Sequence, residues 1–178
     1  MTSATHDSLS PSAKPDAITL RVLCLGNELL GDDGLGCVVA DRLRQFASSD
    51  VDICCTPESG LHLLDRALGV RRLIVVDTVQ TGNAPPGTIY QFLDSELPTV
   101  HGASPHHMGL CDALALARKL GLPVAEEVTI LAVEALDCLT LGATMSPPVS
   151  LTVPELVNIL RNMMPASSRP TTHPAART

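Results

Sequence analysis

Two adjacent carboxylates, Asp32 and Asp33, stand in the run Leu25-Gly26-Asn27-Glu28-Leu29-Leu30-Gly31-Asp32-Asp33-Gly34-Leu35-Gly36. A third, Asp77, closes the apolar run Arg72-Leu73-Ile74-Val75-Val76-Asp77, and two imidazoles, His106 and His107, follow Ser104-Pro105. Carboxylate oxygens together with an imidazole nitrogen form a mixed donor set that suits borderline divalent ions such as nickel, zinc or iron. Each residue also has a plainer use. An Asp just before a helix is a favoured N-cap, and an Asp at a strand end is a common turn former. Two acids exceed what one cap requires, so one of the Asp32–Asp33 pair is expected to cap and the other to be available to a cation. Neighbouring residues at a helix start point in different directions, so at most one of His106 and His107 is expected to share a site with Asp33 and Asp77. His62, on an amphipathic stretch, and His101, in a loop, are read as ordinary polar residues.

Other chemistries fit poorly. The glycine loop lacks the G-x-G-x-x-G spacing of a dinucleotide site and the Lys and Ser/Thr of a P-loop. It offers carboxylates where those loops offer bare amides, which favours a cation over a phosphate. No H-E-x-x-H zinc helix and no G-x-S-x-G nucleophile elbow occurs, and Ser59 in Glu58-Ser59-Gly60 is an unconvincing nucleophile.

The elements that must hold these residues are legible from apolar periodicity. Ile18 to Leu25 reads as a first strand, and apolar positions from Leu35 to Phe46 recur at helical spacing. A second strand runs from Val51 to Cys55, a short helix passes through Leu61, Leu64 and Leu68, and Arg72 to Asp77 is the clearest buried strand. Gly82 to Gly87 must turn, and Thr88 to Leu93 reads as a further strand, an antiparallel return. A helix follows His107 and carries Leu114, Leu116, Ala117 and Leu120; Glu127 to Val133 is the last central strand. Leu141 to Ser150 reads as loop, and Thr152-Val153-Pro154-Glu155 has capping-box spacing for a final helix from Val153 to Met163. Strands alternating with helices predict an α/β fold: three αβα layers with a mostly parallel twisted sheet. Right-handed crossovers then bring the ends of the first and third strands to one edge, where Asp33 and Asp77 meet. Open α/β sheets bind their ligands at that edge.

Composition narrows the class. A chain of 178 residues suits one domain, here 18–164, between polar tails at 1–17 and 165–178 that are expected to be disordered. A net charge of −7 with two lysines argues against a nucleic-acid surface. With no Trp, one Tyr and two Phe, the core must be aliphatic. No apolar run reaches the length of a membrane span and no signal-peptide core is visible, so a cytoplasmic protein is expected. The six cysteines include no C-x-x-C pair and are expected to be small buried hydrophobes, not a disulfide framework or a zinc site.

The stretch Leu25 to Gly36 resembles the opening motif of the nickel-iron hydrogenase maturation endopeptidases. Ile74-Val75-Val76-Asp77 with Gly87-Thr88 downstream, Ser104-Pro105-His106-His107-Met108-Gly109-Leu110, and Gly142-Ala143-Thr144-Met145-Ser146-Pro147 match further segments in order. The resemblance covers Val22 to Leu160; it departs at Val133-Glu134-Ala135-Leu136, which lacks a Pro common in the family. It implies an enzyme that removes a C-terminal extension from the hydrogenase large-subunit precursor after nickel insertion. It further implies that the metal-recognising, catalytic residues fall on Asp33, Asp77 and His106, acting on nickel carried by the substrate rather than held tightly by the enzyme. The alternative is a non-proteolytic nickel-binding accessory protein of hydrogenase assembly.

Overall fold

The computed structural model describes residues 18–93 and 107–165. His106 and, apart from Pro165, both tails expected to be disordered lie outside these residues. Five strands form one sheet: β1 Leu20–Leu25, β2 Val51–Thr56, β3 Arg72–Val79, β4 Ile89–Leu93 and β5 Glu127–Glu134. Their order is β2-β1-β3-β5-β4, parallel except for β4, which returns antiparallel to β5. Helices α1 (Leu35–Leu43), α2 (Leu64–Ala67), α3 (His107–Lys119) and α4 (Pro147–Met163) cover the two faces, as the alternation of strand and helix in the sequence predicts.

Alternate residues of the central strands sort the core into two halves, as a period of two requires. Val22 and Cys24 of β1, Ile74 and Val76 of β3, and Leu131 and Val133 of β5 pack with Val39 and Leu43 of α1 and with Val153, Leu156 and Leu160 of α4. Leu23 and Leu25, Leu73 and Val75, and Val128 and Ile130 point the other way, onto Ala67 of α2 and Leu110 and Leu114 of α3. Burial on both faces explains the uninterrupted apolar character of these strands. Each fully buried aliphatic side chain stabilises the fold by about 1.5–3 kcal/mol. On α3 the buried stripe is Leu110, Ala113, Leu114 and Ala117, whereas Leu116 and Leu120 face solvent.

Two features depart from the sequence reading. α4 begins at Pro147, within the stretch read as loop, because Pro147 and Pro148 fill the first turn, where a missing N–H costs nothing. The capping-box spacing is therefore internal. Thr152 Oγ1 lies 3.0 Å from the carbonyl oxygens of both Pro148 and Gly87, tying the helix to the turn before β4. The second departure is a disulfide between Cys37 of α1 and Cys55 of β2, whose Cα atoms are 5.2 Å apart. The two residues are 18 positions apart and belong to no metal or redox spacing. Their meeting follows from α1 packing over the sheet-edge strand β2, a tertiary event that cysteine spacing does not record.

The turn between β3 and β4 is pinned by Glu134, at the end of β5 and buried. Its carboxylate accepts from Thr81 N–H (2.8 Å), Thr81 O–H (2.6 Å), Gly82 N–H (2.8 Å) and Tyr90 O–H (3.0 Å). Burial by itself raises the carboxyl pKa, but the Thr81, Gly82 and Tyr90 donors together hold it below the usual carboxylate range. A carboxyl depressed in the folded state contributes stability above its unfolded value, lost as pH falls through the folded one. The Tm difference between wild type and Glu134→Gln is therefore expected to be largest at neutral pH and to shrink as pH drops below about 4.5, the ordinary glutamate range. A difference independent of pH would contradict this assignment. Non-reducing peptide mapping is expected to recover the Cys37 and Cys55 peptides joined, and to separate them after reduction.

Candidate active site

The site is built at the C-terminal ends of β1 and β3. Between β1 and α1 the chain must fold tightly back on the strand end, and two glycines permit this. Gly26 has φ +149°, and a Cβ there would lie 2.1 Å from the Asp33 carbonyl oxygen. A Cβ on Gly36 would lie 2.1 Å from the carbonyl oxygen of Leu25. Only hydrogen fits at either position. The fold-back sets Asp33 beside the strand terminus, where Asn27 N–H donates to its Oδ2 at 2.8 Å.

β1 and β3 are hydrogen-bonded neighbours, with Cys24 opposite Val76, so the loop after β1 emerges next to Asp77. The expected meeting of Asp33 and Asp77 takes place through a residue the sequence reading did not single out. Thr78 N–H donates to Asp77 Oδ1 at 2.8 Å, and Thr78 Oγ1 donates to Asp33 Oδ1 at 3.2 Å. Asp33, Asp77 and Thr78 are all buried. The Cys138 thiol lies 3.5 Å from Thr78 Oγ1 as a donor. Burial pushes that thiol up to about 11, and the nearby charges of Asp33, Asp32 and Asp77 add to the rise, against a lowering contact from Thr78. The thiol is therefore protonated at neutral pH.

Asp32 does neither of the things expected of it. No side chain caps the Gly31–Gly34 turn or α1. Its buried carboxylate instead accepts from Leu136 N–H (2.8 Å), Asp137 N–H (3.1 Å), Ser146 N–H (2.6 Å) and Ser146 O–H (3.0 Å). Its own N–H donates to the Asp137 carbonyl oxygen at 2.8 Å, and Gly142 N–H donates to Leu29 O at 2.7 Å. Asp32 thus clamps the loop between β5 and α4 against the loop that carries Asp33. Of the paired acids, the first is structural and the second faces the Asp77–Thr78 corner.

His106, the expected nitrogen donor, lies outside the described residues; the backbone of His107 opens α3. His62 is solvent-exposed, as expected. Among the described residues no group of three His, Cys, Asp or Glu side chains is assembled that could hold a metal ion. Thr78 and Cys138, which the sequence does not single out, carry no spacing signal, and Ser146 stands out only as part of the family-like segment Gly142 to Pro147. Their importance comes from contacts across 45 to 114 positions of chain. The corner offers two carboxylates on a buried floor, a geometry suited to oxygen ligation of a cation or to general-base work. Among the described residues no helix is long and apolar enough to cross a membrane.

A family model described as hydrogenase maturation protease matches residues 39–163. The hydrogenase expression/formation protein HupD of Thiocapsa roseopersicina is 32% identical over 135 residues, 73% of this chain and 60% of that protein. HupD of Rhizobium leguminosarum bv. viciae is 30% identical over 152 residues, 83% of this chain and 74% of that protein. Among solved structures, the hydrogenase maturating endopeptidase HybD from E. coli superposes with a TM-score of 0.71 at 26% identity, covering 80% of this chain and 89% of that one.

Replacing Asp32 by Ala leaves four donors in a buried pocket without their acceptor. We expect a loss of about 3 kcal/mol in urea denaturation, with a smaller loss for Asp32→Asn, which keeps one acceptor oxygen. A loss near zero for Asp32→Ala would contradict the clamp.

Proposed function

Since this chain belongs to the hydrogenase maturation protease family, we propose that it is an endopeptidase acting on the precursor of a nickel-iron hydrogenase large subunit. The bond it cuts releases the precursor's C-terminal extension once nickel has been inserted, and the compartment is the cytoplasm. The observation that best supports this reading is the pair of buried carboxylates, Asp33 and Asp77, brought to one corner and joined through Thr78. Nickel enters as part of the substrate. Asp33 and Asp77, with His106, add ligands to the ion already seated in the precursor, so that only a nickel-loaded chain is docked with its scissile bond in reach. Holding the peptide in this way converts an encounter into an oriented reaction, which lowers the barrier without any group on the enzyme having to change. Activation would come from nickel as a Lewis acid on the scissile carbonyl or on a water, or from one of the two carboxylates as general base.

The test is a mass measurement of a nickel-loaded large-subunit precursor incubated with the protein. Wild type is expected to release a C-terminal peptide, and Asp33→Ala, Asp77→Ala and His106→Ala to slow that release by about a hundredfold or more. Nickel binding with no change in precursor mass would instead support an accessory protein. Cleavage at the wild-type rate by Asp33→Ala would remove the site assignment.

A further inference from the structure

We propose that Thr78 is a positioning residue for this reaction, its amide and hydroxyl holding Asp77 and Asp33 in one arrangement for the incoming metal; the inference rests on the endopeptidase reading. The two arms differ in kind. The bond from Thr78 N–H to Asp77 Oδ1 is a backbone bond that any residue except proline would make. The bond from Thr78 Oγ1 to Asp33 Oδ1 depends on the side chain and links β3 to the loop after β1, across 45 positions of sequence.

A hydroxyl has one proton and can turn it in several directions. Here the rotor is fixed from both sides. Thr78 Oγ1 has Cys138 Sγ at 3.5 Å on one side and Asp33 Oδ1 at 3.2 Å on the other, and of these two neighbours the carboxylate oxygen is much the stronger acceptor, so the hydroxyl proton is directed at Asp33. The β-branch of threonine restricts χ1, which keeps Oγ1 on the Asp33 side. Asp33 Oδ2 is held by Asn27 N–H, so the carboxylate is gripped at both oxygens by groups on different elements. With Thr78 only 3% exposed and Asp77 at 0%, water does not substitute readily for a lost donor. Asp33 therefore meets the substrate with its orientation already set, and the ordering is not left to the moment of binding.

Two variants separate this role from packing. Thr78→Val keeps the shape and both methyl-sized branches but deletes the hydroxyl; Thr78→Ser keeps the hydroxyl and deletes the methyl. Both keep the amide bond to Asp77. Single-turnover processing of nickel-loaded precursor is expected to slow about tenfold or more in Thr78→Val, the effect of losing a hydrogen bond to a charged group. Thr78→Ser is expected to stay within about threefold of wild type, since its hydroxyl remains. Thermal melts check that each variant is folded. The opposite order, with Thr78→Val active and Thr78→Ser impaired, would show a packing role and overturn the proposal, as would equal rates in all three. A second readout uses nickel ion alone, titrated calorimetrically into each full-length protein. Weaker binding by Thr78→Val than by wild type and Thr78→Ser supports positioning even if no precursor is cut, a result in which the endopeptidase reading alone fails. Equal binding by all three, with no precursor cut, overturns both.

Discussion

Four carboxylates are buried along one edge of the sheet, Asp32, Asp33, Asp77 and Glu134, and each must be repaid in hydrogen bonds for the chain to fold. A charged group taken out of water without partners is among the most destabilising things a protein can contain. The local architecture is the set of donors that meets this requirement. Backbone amides of Leu136, Asp137 and Ser146 converge on Asp32; Thr81, Gly82 and Tyr90 converge on Glu134; Asn27 and Thr78 reach Asp33. Among the described residues no buried side-chain nitrogen or oxygen lacks a partner. The loops at this edge are therefore not passive connections. They are held in place by the acids they surround, and Asp32 and Glu134 fix the frame within which Asp33 and Asp77 are presented.

Much of this could be read from the sequence, for identifiable reasons. Uninterrupted apolar runs and helical stripes located the strands and helices. Handedness of the crossovers predicted that Asp33 and Asp77 would share an edge, as β1 and β3 do. What could not be read depends on contacts between residues far apart in sequence. The spacing of Asp32 before α1 is that of a cap, yet its partners are amides 104 to 114 positions away. Thr152 through Glu155 spells a helix start, but Pro147 and Pro148 begin the helix one and a half turns earlier. Cys37 and Cys55 meet only because α1 lies over the edge strand. Thr78 follows the strand that the sequence closes at Asp77, and nothing marks it out until Asp33 is placed beside it. The two carboxylates of the candidate site were thus legible, and the group that joins them was not.

The family membership and the geometry bear on different questions. The family says what kind of reaction to look for; the arrangement of Asp33, Asp77 and Thr78 says how a metal-loaded substrate could be told from an empty one. Under the proposed function, buried carboxylates whose orientation is set by Asn27 and Thr78 would meet the cation of a loaded precursor, and a precursor without its ion would bring them no compensating charge. On that proposal, selectivity for the loaded chain would draw on an unfavourable alternative as much as on a favourable contact.

The most direct measurement is nickel-edge X-ray absorption on a nickel-loaded large-subunit precursor, alone and rapidly frozen after mixing with the protein. The account predicts additional oxygen or nitrogen scatterers around nickel when wild type is added, and none when Asp33→Ala is added. A nickel environment unchanged by wild-type protein, in a mixture that goes on to cleave, would show that Asp33 and Asp77 never touch the metal and would contradict the account.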